Sequence, residues 1–275
     1  IYGISIPWYI MTSFENDLPT KSFFESKNYF GYNKDLIKFF VQDKLPLIDI
    51  TGNLMLSETF CVKEVSNGNG DVFFSMKKNG IIDDLISKGI EWIFIGGIDN
   101  VLLKPVDPLF LGATIHYGFK CASKSIFKTS PDDKINVFCK KNNKPYLLDY
   151  DYITNDVSNA VDDFGNYLYR DINIVSHLFH IDSIKECSSF SLPYHRAFKK
   201  NTFVNYEGVK EVPQFPNSYK FEKFIFDAFF QLKDMFLLRV DENDEFAPIK
   251  DFTSIYNPET AKEKYLIFHK IDKKI

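Results

Sequence analysis

Glu91-Trp92-Ile93-Phe94-Ile95-Gly96-Gly97 is a short, continuous apolar run that stops at Ile98-Asp99-Asn100. Such a run is expected of a parallel strand covered on both faces. Asp99 then falls at the carboxyl edge of the sheet, where open α/β folds bind their ligands. A carboxylate there can hold a divalent cation, and magnesium needs only one or two carboxylates when phosphates supply its other oxygens. An aspartate after a strand is also a common turn cap. Position together with the neighbouring segments favours the ligand role.

Upstream of this strand, helical and extended patterns alternate. Ile1–Ser13 is apolar and β-branched until Thr12-Ser13, which predicts a buried strand followed by a helix N-cap. The helix is expected over Leu18–Lys27, a second strand or helix end at Asp35–Phe40, and a hairpin over Leu47–Leu56 around Thr51-Gly52-Asn53. Asn67-Gly68-Asn69-Gly70 reads as a tight turn entering a helix with Phe73 and Met76 inward; beyond Asn79-Gly80, Ile82 and Ile86 continue the apolar face. This rhythm predicts an α/β fold with a mostly parallel sheet. Downstream, Lys134–Cys139 and Lys144–Asp149 read as antiparallel strands joined by Lys141-Asn142-Asn143. Helices are expected at Ile174–His180 and Lys220–Gln231, with a strand over Met235–Val240. There is no internal repeat or long linker, so residues 1–275 read as one continuous domain.

The composition is that of a soluble globular protein, 45% hydrophobic and 25% charged. A net charge of −4 argues against broad attraction to nucleic acid or an anionic membrane, and no run of 18 apolar residues offers a membrane span. Cys61, Cys121, Cys139 and Cys187 are far apart, which predicts neither a disulfide framework nor a zinc site but buried thiols in a reducing cytoplasm. The chain opens on Ile1 with a core strand rather than a signal peptide, so further sequence is expected upstream.

Other candidate residues carry weaker signals. The Asn-Gly-Asn-Gly turn lets a backbone approach a ligand closely, and Asn69 could pair with a base edge, but this is also a common turn. His177 and His180 form an H-x-x-H pair on the expected helix, without a third ligand at metalloprotease spacing, and read as core or surface histidines. Lys270–Lys274 reads as a solvated tail. Lys220 precedes an apolar stretch and Lys250 closes Asp244-Glu245-Phe246-Ala247-Pro248-Ile249-Lys250; composition alone makes each a surface charge.

Taken together, these segments resemble the eukaryotic-type UDP-sugar pyrophosphorylases, especially the UDP-N-acetylhexosamine branch. The resemblance rests on Pro7-Trp8-Tyr9-Ile10-Met11-Thr12-Ser13, Asn67-Gly68-Asn69-Gly70, Asp99-Asn100-Val101-Leu102-Leu103-Lys104 with Asp107-Pro108, and Lys128-Thr129-Ser130-Pro131. It continues through Asp149-Tyr150, Asn173-Ile174-Val175-Ser176-His177, Phe221-Glu222-Lys223-Phe224-Ile225-Phe226-Asp227 and the segment ending in Lys250. These occur in family order across nearly the whole chain.

The resemblance implies a Rossmann-like (GT-A-like) nucleotidyltransferase fold, a mixed and mostly parallel sheet flanked by helices. It implies the reversible reaction UTP + sugar 1-phosphate → UDP-sugar + pyrophosphate, with GlcNAc 1-phosphate the expected sugar. Gln42, Gly68, Asn69 and Gly70 would face uracil and ribose, and Asp99 would hold Mg2+ at the phosphates. Asn136, Asp149, Tyr150 and Asn173 would line the sugar pocket; Lys250 would sit against the phosphates, with Lys220 a weaker candidate. A sugar phosphate is already an anionic nucleophile, so charge neutralisation and alignment matter more than a general base.

Departures from the family pattern fall at Asn67 and Asp71 in the base pocket, and at Asn136 and Asp149 in the sugar pocket. The family's glycine-rich phosphate loop is expected upstream of Ile1, and the chain alone is expected to be inactive. The alternative is a non-catalytic paralogue that kept the uridine and sugar pockets but lost that loop. A glycosyltransferase ranks last, because Asp99-Asn100-Val101 lacks the second carboxylate of a D-x-D.

Overall fold

Asp171–His180 forms a ten-residue strand, not the helix expected from Ile174. Most of its positions are buried, on both faces. Its apolar pattern therefore has no polar stripe that would separate a helical period from a strand period. The β-branched Ile172, Ile174 and Val175 favour the extended form. His177 and His180, three apart on a strand, consequently point to opposite faces rather than sharing a helix face.

The computed structural model describes residues 3–58, 61–128, 136–149 and 153–271. They form two compact units, one of Ile1–Asp84 with Cys187–Ala228 and one of Leu85–Glu186 with Phe229–Ile275. Tyr150, Thr129-Ser130-Pro131 and the last residues of the lysine-rich tail lie outside the described residues.

The second unit is built on one mixed sheet. Its strands run in the order Lys144–Leu148, Val137–Lys141, Asp171–His180, Cys121–Phe127, Phe236–Arg239, and Trp92–Gly96 also pairs with Asp171–His180. The Glu91–Gly97 run is thus a strand as expected, but antiparallel to its partner and only half-buried. Among the described pairings of this sheet, only Phe236–Arg239 with Cys121–Phe127 is parallel, so the mostly parallel sheet is corrected to a mixed, mainly antiparallel one. Of the antiparallel neighbours only Val137–Lys141 and Lys144–Leu148 are joined by a short turn; the others meet Asp171–His180 through long connections, which permit either direction. The hairpin Val137–Lys141/Lys144–Leu148 turns through Asn142 and Asn143, both at positive φ (53° and 60°), a conformation asparagine tolerates and tight hairpins require. Ile126, Val137, Ile172, Ile174 and Phe246 form one apolar cluster, and Phe110, Ala122 and Leu178 another.

In the first unit, Trp8–Thr12 pairs in parallel with Ile37–Val41. The following helix spans Asp17–Ser26 with Asn16 at its N-cap position but without a side-chain cap, later than the expected Thr12-Ser13, whose groups instead bind Asp17 and Asn16. The Leu47–Leu56 hairpin forms around Asp49, whose carboxylate accepts the N–H groups of Thr51 and Asn53 at 2.8 and 2.9 Å. Phe73, Met76 and Ile82 are buried as expected. Ile86 is exposed, because Leu85, three after Ile82, takes the inward position. The helix expected over Lys220–Gln231 splits into a strand, Ser218–Glu222, paired with His195–Lys199, and a 3-10 helix, Ile225–Gln231. All four cysteines are thiols outside any disulfide, with Cys121 and Cys187 buried but Cys61 exposed and Cys139 half-buried. Among the described residues no helix is long and apolar enough to cross a membrane.

Candidate active site

The strand Asp171–His180 creates a fork in the second unit. Along one edge it keeps Cys121–Phe127. Along the other, Ile172 pairs with Val137, while Ser176 to His180 pair with Gly96 to Trp92. The register slips between Asn173 and His177, and within the slip Val175 sits at φ 53°. A β-branched residue in that region is strained, and strain of this kind concentrates at working sites. Two hydrogen bonds hold the bend: Val175 N–H donates to Asn173 Oδ1 at 3.0 Å, and Gly97 N–H donates to Val175 C=O at 3.2 Å.

Asp99 lies at the mouth of this fork. A Cβ on Gly97 would stand 2.7 Å from Asp99 Oδ1, so that position is open only to glycine while the carboxylate keeps its place. The Asp99 loop is bonded along its length to the segment before Lys250. Ile249 N–H donates to Asp99 C=O at 2.8 Å, and Ala247 N–H to Asn100 Oδ1 at 2.8 Å. Asn100 Nδ2 donates to Glu245 C=O at 2.7 Å. Lys250, its ammonium half-exposed, forms an ion pair with the Asp99 carboxylate.

Of the expected sugar residues, Asn136, Asp149 and Asn173 gather at the same sheet end. Asn173 N–H donates to Asn136 C=O at 3.0 Å, and Val137 is in register with Leu148, which places Asn136 beside Asp149. Asp99, Lys250, Asn136, Asp149 and Asn173 therefore share one neighbourhood.

The nucleotide candidates belong to the first unit. Gln42 follows Ile37–Val41, its N–H bonded to Thr12 C=O at 2.9 Å and its Oε1 buried without a hydrogen-bond partner. Gly68 and Gly70 approach the chain itself: a Cβ on Gly68 would meet Lys223 C=O at 2.4 Å, and one on Gly70 the Phe224 backbone at 2.6 Å. Reciprocal bonds close this clasp. Lys223 N–H donates to Asn67 C=O at 2.7 Å, Gly70 N–H to Lys223 C=O at 2.9 Å, and Ile225 N–H to Asn69 Oδ1 at 3.0 Å. Asp71 is buried, its Oδ2 accepting Asp43 N–H at 3.0 Å and the Ser75 hydroxyl at 2.6 Å. Asn67 Oδ1 is a second buried acceptor without a partner.

Lys220 lies beside the clasp, on the strand Ser218–Glu222, paired with Glu222 at 2.9 Å and donating to the Ser66 hydroxyl at 3.4 Å. Lys223 is the lysine at the turn, 3.8 Å from Asp71 Oδ1 and 5.1 Å from the centre of the Tyr194 ring. Sequence reading singled out Lys220 and passed over Lys223, although Lys223 sits in the centre of the Phe-Glu-Lys-Phe match.

The mixed sheet of the second unit thus brings a carboxylate–lysine pair and a row of amide and carboxylate residues to one end. The chain belongs to the UTP–glucose-1-phosphate uridylyltransferase family, whose model matches residues 1–260. It is 35% identical over 274 residues to the Saccharomyces cerevisiae UDP-N-acetylglucosamine pyrophosphorylase, covering 96% of this chain and 57% of the yeast protein. The Trypanosoma brucei UDP-N-acetylglucosamine pyrophosphorylase, solved with an inhibitor, superimposes with a TM-score of 0.79 at 28% identity, over 95% of this chain and 53% of that one. An Entamoeba histolytica structure described as a candidate UDP-N-acetylglucosamine pyrophosphorylase gives a TM-score of 0.89 at 27% identity, over 96% of this chain and 66% of that one. The chain spans little more than half the length of the curated relatives it matches.

Proposed function

We propose that the protein carrying this chain is a uridylyltransferase that forms a UDP-sugar and pyrophosphate from UTP and a sugar 1-phosphate, with GlcNAc 1-phosphate the preferred sugar. The observation that carries the reading is the Asp99–Lys250 pair at the fork, in a chain of this family. The finer fold reading, one catalytic nucleotidyltransferase domain with a Rossmann-like, GT-A-like core, belongs to the same proposal. The parallel pairs Trp8–Thr12/Ile37–Val41 and Cys121–Phe127/Phe236–Arg239 support it.

In the reaction, a phosphate oxygen of the sugar 1-phosphate attacks the α-phosphorus of UTP. The bond to the bridging oxygen breaks and pyrophosphate leaves with the electron pair. The Lys250 ammonium stabilises charge as it develops on the phosphoryl oxygens, and Asn136, Asp149, Tyr150 and Asn173 orient the sugar. Gln42, Gly68, Asn69 and Gly70 receive the uridine; the buried, unpartnered oxygens of Gln42 and Asn67 are acceptors suited to a base N–H.

Mg2+ is part of the proposal, and the donor set fits it. Among the described residues no group of three His, Cys, Asp or Glu gathers as a cage, and Asp99 is a single, partly exposed carboxylate. That suits an ion drawing most of its oxygens from phosphate and water. When bound, magnesium would neutralise phosphate charge, with Asp99 as its protein ligand. Cysteines present as thiols accord with a cytoplasmic setting, and the net charge of −4 argues against broad attraction to nucleic acid or an anionic membrane.

The deciding experiment offers full-length protein UTP, Mg2+ and GlcNAc, GalNAc or glucose 1-phosphate, and follows pyrophosphate release. Release is expected fastest with GlcNAc 1-phosphate. No release with any of the three would end the reading.

A further inference from the structure

Lys124 lies in the middle of Cys121–Phe127 and is fully buried. It shares a sheet face with Ala122 and Ile126, which belong to the two apolar clusters of the second unit. A lone ammonium there would be prohibitively desolvated, and two carboxylates meet it: Asp107 at 2.6 Å and Glu245 at 2.5 Å. Both belong to the segments that form the Asp99 site. Asp107 ends the loop that Asp99 begins, and its Oδ1 caps the helix Pro108–His116 through Leu109 and Phe110 N–H. Glu245 offers its backbone C=O to Asn100 and stands five residues before Lys250. Lys104, 3.5 Å from Glu245, adds a second cation from the same loop.

We propose that Lys124 is a positioning residue for the uridylyl transfer: it clamps Asp107 and Glu245 from beneath and so fixes the Asp99 loop against the Lys250 segment. The proposal rests on the functional reading above. Burial alone would push the Asp107 carboxyl up, but the hydrogen bond from Lys124 and the backbone N–H groups of Phe110 and Leu109 hold it below the usual carboxylate range. Asp107 therefore meets Lys124 as a carboxylate at neutral pH. The clamp's position between apolar clusters shields it from salt.

Lys124→Met alone would strip both carboxylates of their shared cation and leave Lys104 as the nearby charge on Glu245, so the test replaces the whole trio by neutral isosteres, Lys124→Met with Asp107→Asn and Glu245→Gln, in the full-length protein. Neutralising a buried ion cluster as a unit commonly preserves a fold. Glu245→Gln alone, which leaves Lys124 paired with Asp107, runs the same test at smaller amplitude. Two readouts are taken. Amide exchange should accelerate about tenfold or more in peptides covering 99–103 and 246–250 and stay unchanged elsewhere. The kcat for pyrophosphate release should fall about tenfold or more, with KM for UTP within roughly threefold. Uniform acceleration across the sheet, or wild-type exchange at these two peptides, would overturn the proposal. If wild type itself releases no pyrophosphate, the uridylyltransferase reading fails, and the exchange pattern still decides whether the clamp exists.

Discussion

Asp99 owes its place to three neighbours: Gly97, which leaves room for its carboxylate, Ile249, which binds its carbonyl, and Lys250, which pairs with its charge. None of the three makes the carboxylate replaceable. Asp99→Asn keeps the volume and the loop bonds but removes the negative charge that would hold the metal. Turnover of the full-length protein should drop by about a hundredfold or more at saturating magnesium, with the unfolding midpoint close to wild type. Retention of most activity in a pyrophosphate-release assay would sink the assignment. Asn173 tests the other half of the site. Its Oδ1 is held by Val175 N–H, so its amide orientation is fixed by the strand itself. Asn173→Ala should change the ranking of sugar 1-phosphates more than it changes KM for UTP, because a mismatched sugar leaves polar groups unpaired. A loss confined to UTP would show that the sugar pocket lies elsewhere.

At the scale of elements, local chemistry was legible and distant pairing was not. The Asn142-Asn143 hairpin, the strand Trp92–Gly96, the hairpin around Asp49 and the inward Phe73 and Met76 each follow from a few adjacent residues. The strand Asp171–His180 was misread because it is buried on both faces, which erases the alternation that marks a strand. The place of Lys223 against the turn is not legible locally, because its backbone bonds reach Asn67 and Gly70, over 150 residues earlier. The glycines of that turn, expected to let the backbone approach a ligand, also leave room for the backbone of Lys223 and Phe224. This reading has a stability consequence. Gly70→Ala drives a Cβ to 2.6 Å from the Phe224 backbone, where neither side can yield, and should cost about 2 kcal/mol or more. Gly112→Ala, inside the helix Pro108–His116 with nothing within 4 Å of its Cβ, should stabilise by up to about 1 kcal/mol. Equal effects on the urea midpoint would show that the clasp is looser than described.

For the molecule as a whole, stability should carry a dependence on pH that comes from one side chain outside the proposed chemistry. His177 is fully buried on the strand Asp171–His180, with Nδ1 2.8 Å from the Ser123 hydroxyl, the Phe229 ring 5.0 Å away and Nε2 without a partner. Burial penalises the charged imidazolium and lowers the pKa to about 3 from an ordinary 6.5. The folded chain therefore holds His177 neutral while the unfolded chain protonates it. Between these two values the unfolded state binds the extra proton, so stability rises with pH across that window. The contribution is fully present above about 6.5 and is lost progressively as pH falls toward about 3. At pH 4.5 the loss from this one group should be about 3 kcal/mol relative to pH 7. Carboxylates that are paired in the fold add their own acid sensitivity, so the useful quantity is a difference between proteins. His177→Gln keeps a polar side chain on the strand but cannot be protonated. Urea midpoints of wild type and variant, measured at pH 7 and pH 4.5 with slopes held equal, should converge as the pH falls. Parallel losses in the two proteins would mean that His177 takes up its proton without opening the sheet.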